Sequence, residues 1–186
     1  NGSRCAIQFM YLNKKIEANT LFIAGDGVHA AKILKKSIVA MQMKPPKYKS
    51  DKLSIEHLSG YFIDSGAKHF VVESANLEDN FVFSMGKKIR YSSTFAPSGI
   101  NVNFYTLLNN NTIHIKTYEK GVEDLMMSCG SGSVACAYHL SKTGRVQSPL
   151  TVNVLGGKLE IEFSDDWKEV WLSGSATIEE SIEIDC

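Results

Sequence analysis

Cys129 stands directly before Gly130, Ser131 and Gly132 and a short amphipathic stretch, in "SCGSGSVACAYHL" (Ser128 to Leu140). A helix beginning there gathers N–H groups with no partner and a partial positive charge, and the glycines let the backbone close on a bound group. Such a place can cradle a carboxylate or a phosphate. A cysteine at its mouth is expected to have a lowered pKa and a larger thiolate fraction, which makes it a nucleophile or a base. The plain alternative is a small hydrophobe buried in a tight turn, and the motif alone weighs the two equally. Cys5 and Cys136 fall among apolar neighbours at helical spacing and read as packing residues, while Cys186 only ends the chain.

The elements that must position this cysteine occur twice. Cys5, Phe9, Leu12 and Ile16 are spaced as one helix after Ser3, a suitable N-cap. "LFIAGDGVHAAKIL" then reads as a hairpin around Gly-Asp-Gly, and "SIVAMQMK" as a strand. The second half repeats the order. A helix with Val134, Ala137 and Tyr138 follows Ser133 and stops near Gly144, then comes the hairpin "LTVNVLGGKLEIEF" and the strand "EVWLSG". Gly2 and Gly132, Ser3 and Ser133, Gly27 and Gly157, and Met41 and Trp171 all differ by 130 positions (for example 132 − 2). Three elements sharing one offset indicate two related halves.

The 186 residues are 44% hydrophobic and 22% charged, with 20 Lys+Arg against 20 Asp+Glu, the balance of an ordinary soluble globular protein. Zero net charge without a basic block excludes nucleic acid or an anionic membrane as the main partner. No apolar run is long enough to span a membrane, and no leader is visible. Four scattered cysteines do not form a secreted disulfide framework or a zinc pattern, so a reduced, cytoplasmic setting is expected.

"KPPKYKSDK" (Lys44 to Lys52) has the composition of an interdomain linker. Residues 53–117 alternate short β-like runs ("YFIDSG", "HFVVES", "FVFSM", "NVNFYTLL", "TIHIKTY") with turns, and no long helix is expected before Cys129. The fold class is therefore α+β, mostly strands with one central helix per unit. "TIEESIEI" is expected to be a strand returning to the first half.

Two related units, each presenting a cysteine at a helix start, would set two thiols on opposite sides of one small molecule. That suits racemisation: one thiolate removes an amino acid's α-proton from one face, and the other, as thiol, delivers a proton to the opposite face. Two helix N-termini aimed at one site would stabilise the developing carbanion through its carboxylate.

The chain resembles the diaminopimelate epimerase family over essentially its whole length. The resemblance rests on "NGSRC" as the tail of that family's Cys-Gly-Asn-Gly-x-Arg-Cys motif, on "DSGAKHFVV", "GINVNFY", "LGGKLEIEF" and "LSGSA", and most specifically on "TYEKGVEDLMMSCGSGSVACA". It implies a fold of two pseudo-symmetric domains, each a mostly antiparallel β roll around a central helix. Residues 1–47 with a returning strand at 175–186 would form the incomplete first domain, and residues 48–174 the second. It implies interconversion of LL- and meso-diaminopimelate without a cofactor or metal, for lysine and peptidoglycan precursor synthesis, and a small-molecule amino-acid partner, with a homodimer as one open assembly state.

Carried over by motif, Cys129 matches a catalytic cysteine, with its counterpart expected just before Asn1. Glu119 and His69 match polar residues near the reaction centre. Asn1, Gly2, Asn101, Glu119, Lys120, Gly130 and Ser131 match substrate-binding positions. Without the resemblance, His69 reads as a structural histidine in a strand, Glu119-Lys120 as an exposed charge pair and Asn101 as a turn residue. Two departures stand out. Ala67 replaces an asparagine, and Lys120 replaces an arginine whose planar fork would grip a carboxylate through two hydrogen bonds. Both loosen recognition of the non-reacting end of the substrate, so relaxed selectivity toward other acidic amino acids is expected.

Three other readings compete. One is a different two-thiol isomerase of the proline racemase kind. Another is a hydrolase or acyltransferase using Cys129 directly with His69. The third is a non-catalytic relative.

Overall fold

The computed structural model describes residues 2–35 and 37–177. In chain order the elements are α1 (Gly2–Leu12), β1 (Asn19–Ala24), β2 (Gly27–Lys35), β3 (Ile38–Gln42), β4 (Lys47–Ile55), β5 (Leu58–Asp64), β6 (Lys68–Glu73), α2 (Asp79–Arg90), β7 (Asn101–Asn109), β8 (Thr112–Glu119), β9 (Asp124–Met126), α3 (Gly130–Lys142), β10 (Leu150–Val154), β11 (Gly157–Phe163) and β12 (Val170–Ser175). The strands form one sheet in the order β1-β2-β3-β12-β11-β10-β8-β7-β6-β5-β4, with β9 on β8. This is the α+β class expected. All neighbours are antiparallel except β6 with β7 and β8 with β10. Parallel strands need a long crossover; α2 lies in the first and α3 in the second.

The two crossover helices cover opposite faces. Along β6, β7 and β8 the odd positions Val71, Tyr105, Ile113 and Ile115 pack with Val134, Ala137 and Leu140 of α3. The even positions Phe70, Val72, Val102, Phe104 and Tyr118 pack with Val82 and Ile89 of α2. Strand alternation thus supplies both cores from the same three strands.

The 130-residue echo has a physical counterpart. Both hairpins close in matching register, Ala24↔Gly27 and Val154↔Gly157. An offset of 130 carries Met41 to 171 and Gln42 to 172, and β3 pairs antiparallel with β12 as Met41↔Leu172 and Gln42↔Trp171. The two strands exchange places about a local two-fold axis that passes between those pairs.

Several expectations are corrected. Cys5, Phe9 and Leu12 are exposed, and α1 instead buries Arg4, Ile7 and Gln8. Its orientation is set by β3, where Ile7 packs with Val39 and Met41, so the apolar spacing of the sequence points away from the sheet. Both helices start earlier than expected. Ser3 lies inside α1, and Cys129 occupies the N-cap of α3, while Ser133 Oγ donates to the Cys129 carbonyl at 2.9 Å from within the helix. Most of the supposed linker is β4, an edge strand whose lysines 47, 49 and 52 face solvent while Tyr48 turns inward to Tyr61 and Tyr138. Lysines on an edge block further strand pairing, and they mimic a linker's composition. "FVFSM" is not β but part of α2, where Val82, Gly86 and Ile89 form a buried helical stripe. "TIEESIEI" falls almost entirely outside the described residues, as does Asn1.

Gly86 sets how closely α2 approaches β8, since a Cβ added there would come within 2.5 Å of the Cβ of fully buried Tyr118. Gly86→Ala should therefore destabilise the fold by about 1–3 kcal/mol despite the better helix propensity of alanine. A lowered urea midpoint would confirm this; an unchanged or raised one would show that α2 can shift freely.

Candidate active site

The register of three strands assembles the site. In β6 and β7, His69 lies beside Asn101; in β7 and β8, Asn103 is paired with Thr117. All four project on the face that carries α3, as the alternation of the neighbouring core residues requires. His69 and Asn103 are completely buried and Thr117 nearly so. Buried polar groups must find partners, and these form a continuous chain. Thr117 Oγ1 donates to Asn103 Oδ1 at 2.8 Å, Asn103 Nδ2 donates to His69 Nδ1 at 2.9 Å, and His69 Nε2 lies 2.9 Å from Ser131 Oγ. Ser131 Oγ in turn lies 3.8 Å from Cys129 Sγ. Ser65, in the turn before β6, donates to the Ser131 carbonyl at 2.8 Å and fastens the first turn of α3 to the sheet.

Charge states follow from burial. Loss of hydration pushes His69 down to about 3, with Asp64 acting weakly against it, so the ring is neutral at pH 7. Cys129 does not behave as the helix N-terminus alone suggested. Burial first, and then the charge of Glu119, push its thiol up to about 12, outweighing the opposing pull of the Gly132 N–H and the Ser131 hydroxyl. The sulfur therefore keeps its proton at neutral pH. The Glu119 carboxylate, with Oε2 buried, adds a hydrogen bond from the thiol to its charge and so also favours the protonated sulfur.

The other expected residues are placed as follows. Asn101 uses both ends of its amide on the protein's own backbone: Nδ2 donates to the Lys68 carbonyl at 3.1 Å, and Oδ1 accepts from the Lys120 N–H at 2.9 Å. It joins the turn after β8 to the start of β6. The Lys120 side chain is exposed. Ala67 accepts the Ser65 N–H at 3.0 Å in the loop before His69. Gly130 and Ser131 open α3, so their N–H groups have no partner inside the helix. Gly2 opens α1 and is exposed, within the first unit. A hollow of about 180 Å³ lies between Arg4 and Cys5 of α1 and Ser128, Gly156 and Ala176 beside the Cys129 turn.

Sequence reasoning missed Asn103 and Thr117. The available signal was alternation: Asn101 and Asn103 on one strand, and Thr117 and Glu119 on the next, are polar residues spaced by two in otherwise apolar runs. Ser131 intervenes between Cys129 and His69, so the Cys-His pair that a hydrolase requires is not formed. Among the described residues no three His, Cys, Asp or Glu side chains converge as a metal site.

A family model described as diaminopimelate epimerase matches residues 61–179. The chain is 37% identical over 180 residues to the diaminopimelate epimerase of Flavobacterium psychrophilum, an alignment covering 95% of this chain and 68% of the relative. It is 39% identical over 182 residues to that of Aquifex aeolicus, covering 94% and 65%. The chain thus spans about two-thirds of the length of these relatives. Among solved structures, a probable proline racemase from Agrobacterium radiobacter K84 superposes with a TM-score of 0.73 at 14% identity, covering 98% of this chain and 67% of that one. A PhzF-family phenazine biosynthesis protein from Bacillus anthracis gives 0.69 at 11% identity, covering 94% and 71%. At such identities the likeness is one of fold.

The neutral state of His69 makes a prediction for stability. Its folded pKa of about 3 lies below the ordinary 6.5, so the unfolded chain takes up the proton first. Stability is complete above about pH 6.5 and falls as the pH drops toward 3, by up to about 1.4 kcal/mol per pH unit. His139, also lowered chiefly by burial, adds in the same direction. Urea unfolding at pH 7 and pH 5 should show a shallower pH dependence for His69→Gln than for wild type; equal slopes would mean that His69 protonates freely in the folded state.

Proposed function

Since the chain belongs to the diaminopimelate epimerase family, we propose that it carries one half of a two-thiol amino-acid epimerase, with Cys129 as the acid–base group of that half and LL- and meso-diaminopimelate as its substrates. The observation that supports this most directly is the desolvated Cys129 at the start of α3, with Glu119 and Ser131 beside its sulfur. In the proposed reaction a thiolate on one side takes the proton as the Cα–H bond breaks. Cys129 gives its S–H proton to the opposite face of the carbanion, and the reverse reaction exchanges the roles. The N–H groups of Gly130 and Ser131 would hold the reacting carboxylate as negative charge spreads toward it. The opposing thiol is assigned to the cysteine that the family motif sets two positions before Asn1, with Asn1 and Gly2 as that motif's substrate-binding positions. The local two-fold register of β3 with β12, taken with the 130-residue echo of the sequence, supports a pair of facing thiols.

In this reading residues 1–47 with 175–186 belong to one domain and 48–174 to the other. The reaction needs no cofactor and serves lysine and peptidoglycan precursor synthesis. A second reading, a two-thiol racemase of wider selectivity, is favoured by Ala67 and by the exposed lysine at position 120. An ammonium there meets a distant carboxylate as a point charge rather than as a fork.

The test uses full-length protein in deuterated water without pyridoxal phosphate. Diaminopimelate should exchange its α-proton and interconvert, and Cys129→Ala should lower interconversion by about 100-fold or more. Absence of exchange with diaminopimelate, glutamate, aspartate and proline alike would overturn the assignment in favour of a non-catalytic relative. For selectivity, Lys120→Arg should lower KM for diaminopimelate relative to glutamate; an unchanged ratio would remove Lys120 from the substrate-binding set.

A further inference from the structure

The hydrogen-bond chain beneath Cys129 has a direction. Asn103 Oδ1 accepts from Thr117 Oγ1 and sits 2.1 Å from where a Cβ on Gly132 would fall. The Cα–H of Gly132 therefore points at this atom, a favourable contact for an oxygen. An NH2 in the same place would press hydrogen against hydrogen, which fixes the amide with its nitrogen toward His69. That nitrogen can only donate, so His69 Nδ1, 2.9 Å away, must be bare and the ring proton must reside on Nε2. Nε2 then donates to Ser131 Oγ, whose own hydrogen is left free to turn toward Cys129 Sγ.

We propose that Asn103, anchored by Thr117, is a positioning residue that fixes the Nε2–H tautomer of His69 and thereby makes Ser131 a hydrogen-bond donor to the Cys129 sulfur. The proposal rests on the reading of Cys129 as an acid–base group. In it, His69 exchanges no proton with substrate and transmits only an orientation. The sulfur is faced by Glu119 from β8 and, within α3, by the Gly132 N–H, Ser131 and Cys136, while His69 feels Asp64 at the end of β5. Glu119 opposes the thiolate and the relay favours it, so the two set how readily Cys129 parts with its proton and takes it back.

Reversing the relay provides the test. In Asn103→Asp a carboxylate can only accept, so above the ring's pKa the neutral His69 places its proton on Nδ1, Ser131 donates to Nε2, and the sulfur loses its side-chain donor and keeps only the Gly132 N–H. Nitrogen NMR of the full-length protein labelled at histidine should find Nε2–H at His69 in wild type and Nδ1–H in Asn103→Asp. Iodoacetamide labelling of Cys129, followed by mass spectrometry across pH, should show the alkaline limb displaced upward. The rate at pH 9 should be lowered by about tenfold in Asn103→Asp and Ser131→Ala, and by less in Thr117→Val. An Nδ1–H tautomer in wild type, or an unchanged labelling profile in folded Asn103→Asp, would overturn the proposal. If Asn103→Asp does not fold, the wild-type tautomer and the Ser131→Ala profile decide. Neither readout requires turnover, so an inactive protein with the expected tautomer would count against the proposed reaction and leave the relay standing.

Discussion

Keeping His69, Asn103 and Thr117 out of water is the constraint on which the second unit is built. Each would cost stability if buried alone, and together they leave no gap in the chain of donors and acceptors that ends at Ser131 and Cys129. The chain exists only if β6, β7 and β8 keep their register, because a slip of one residue would turn every one of these side chains onto the α2 face. It also requires α3 to approach to within contact of Asn103, which the missing side chain of Gly132 permits. Strand register, helix placement and proton position are thus one problem with one solution.

The same burial decides a competition at Cys129. A helix terminus offers its partial charge to an anion, an effect typically of 0.3–1 kcal/mol and up to about 2 in partly buried settings. Moving a thiolate out of water beside a carboxylate costs more, and the thiol keeps its proton. A motif read only for its helix N-terminus therefore gives the wrong resting state. In the proposed reaction the N–H groups of the first turn would serve a substrate carboxylate, which brings its own charge and displaces water on arrival.

Much of this was legible in the sequence, and the failures have causes. The strands "HFVVES", "NVNFYTLL" and "EVWLSG" follow from local composition, because a sheet covered on both faces buries consecutive residues and so selects short runs rich in apolar and β-branched side chains. Cys129, His69 and Ser131 were named from motifs and lie together. The α2 helix was missed because "FVFSM" is rich in aromatic and β-branched residues, and only the longer Val82–Gly86–Ile89 spacing, set by contact with Tyr118, marks a helix. The face of α1 was misjudged because buried Arg4 and Gln8 carry no apolar signal, whereas exposed Phe9 and Leu12 do. Tyr48 in β4 was hidden among lysines that belong to a sheet edge. Asn103 and Thr117 look like ordinary strand residues until the pairing of β7 with β8 is known.

What joins the units bears on the chemistry. Along the β3–β12 ladder, Met41 belongs to the core beneath α1 and its partner Leu172 to the core around α3, while Met43 touches both. The spacing between the two helix starts is thereby tied to a strand ladder with fixed geometry rather than to a flexible connection. A reaction that handles one proton on each face of a single carbon tolerates little change in that spacing, because each transfer needs hydrogen-bond distance at the moment it occurs. For the proposed reaction, a pair of strands joined about a local two-fold axis would meet this demand at the level of the backbone. In the proposed reaction, fine control of the thiol in this half is left to side chains around Cys129, where Glu119 opposes the thiolate and Ser131 favours it.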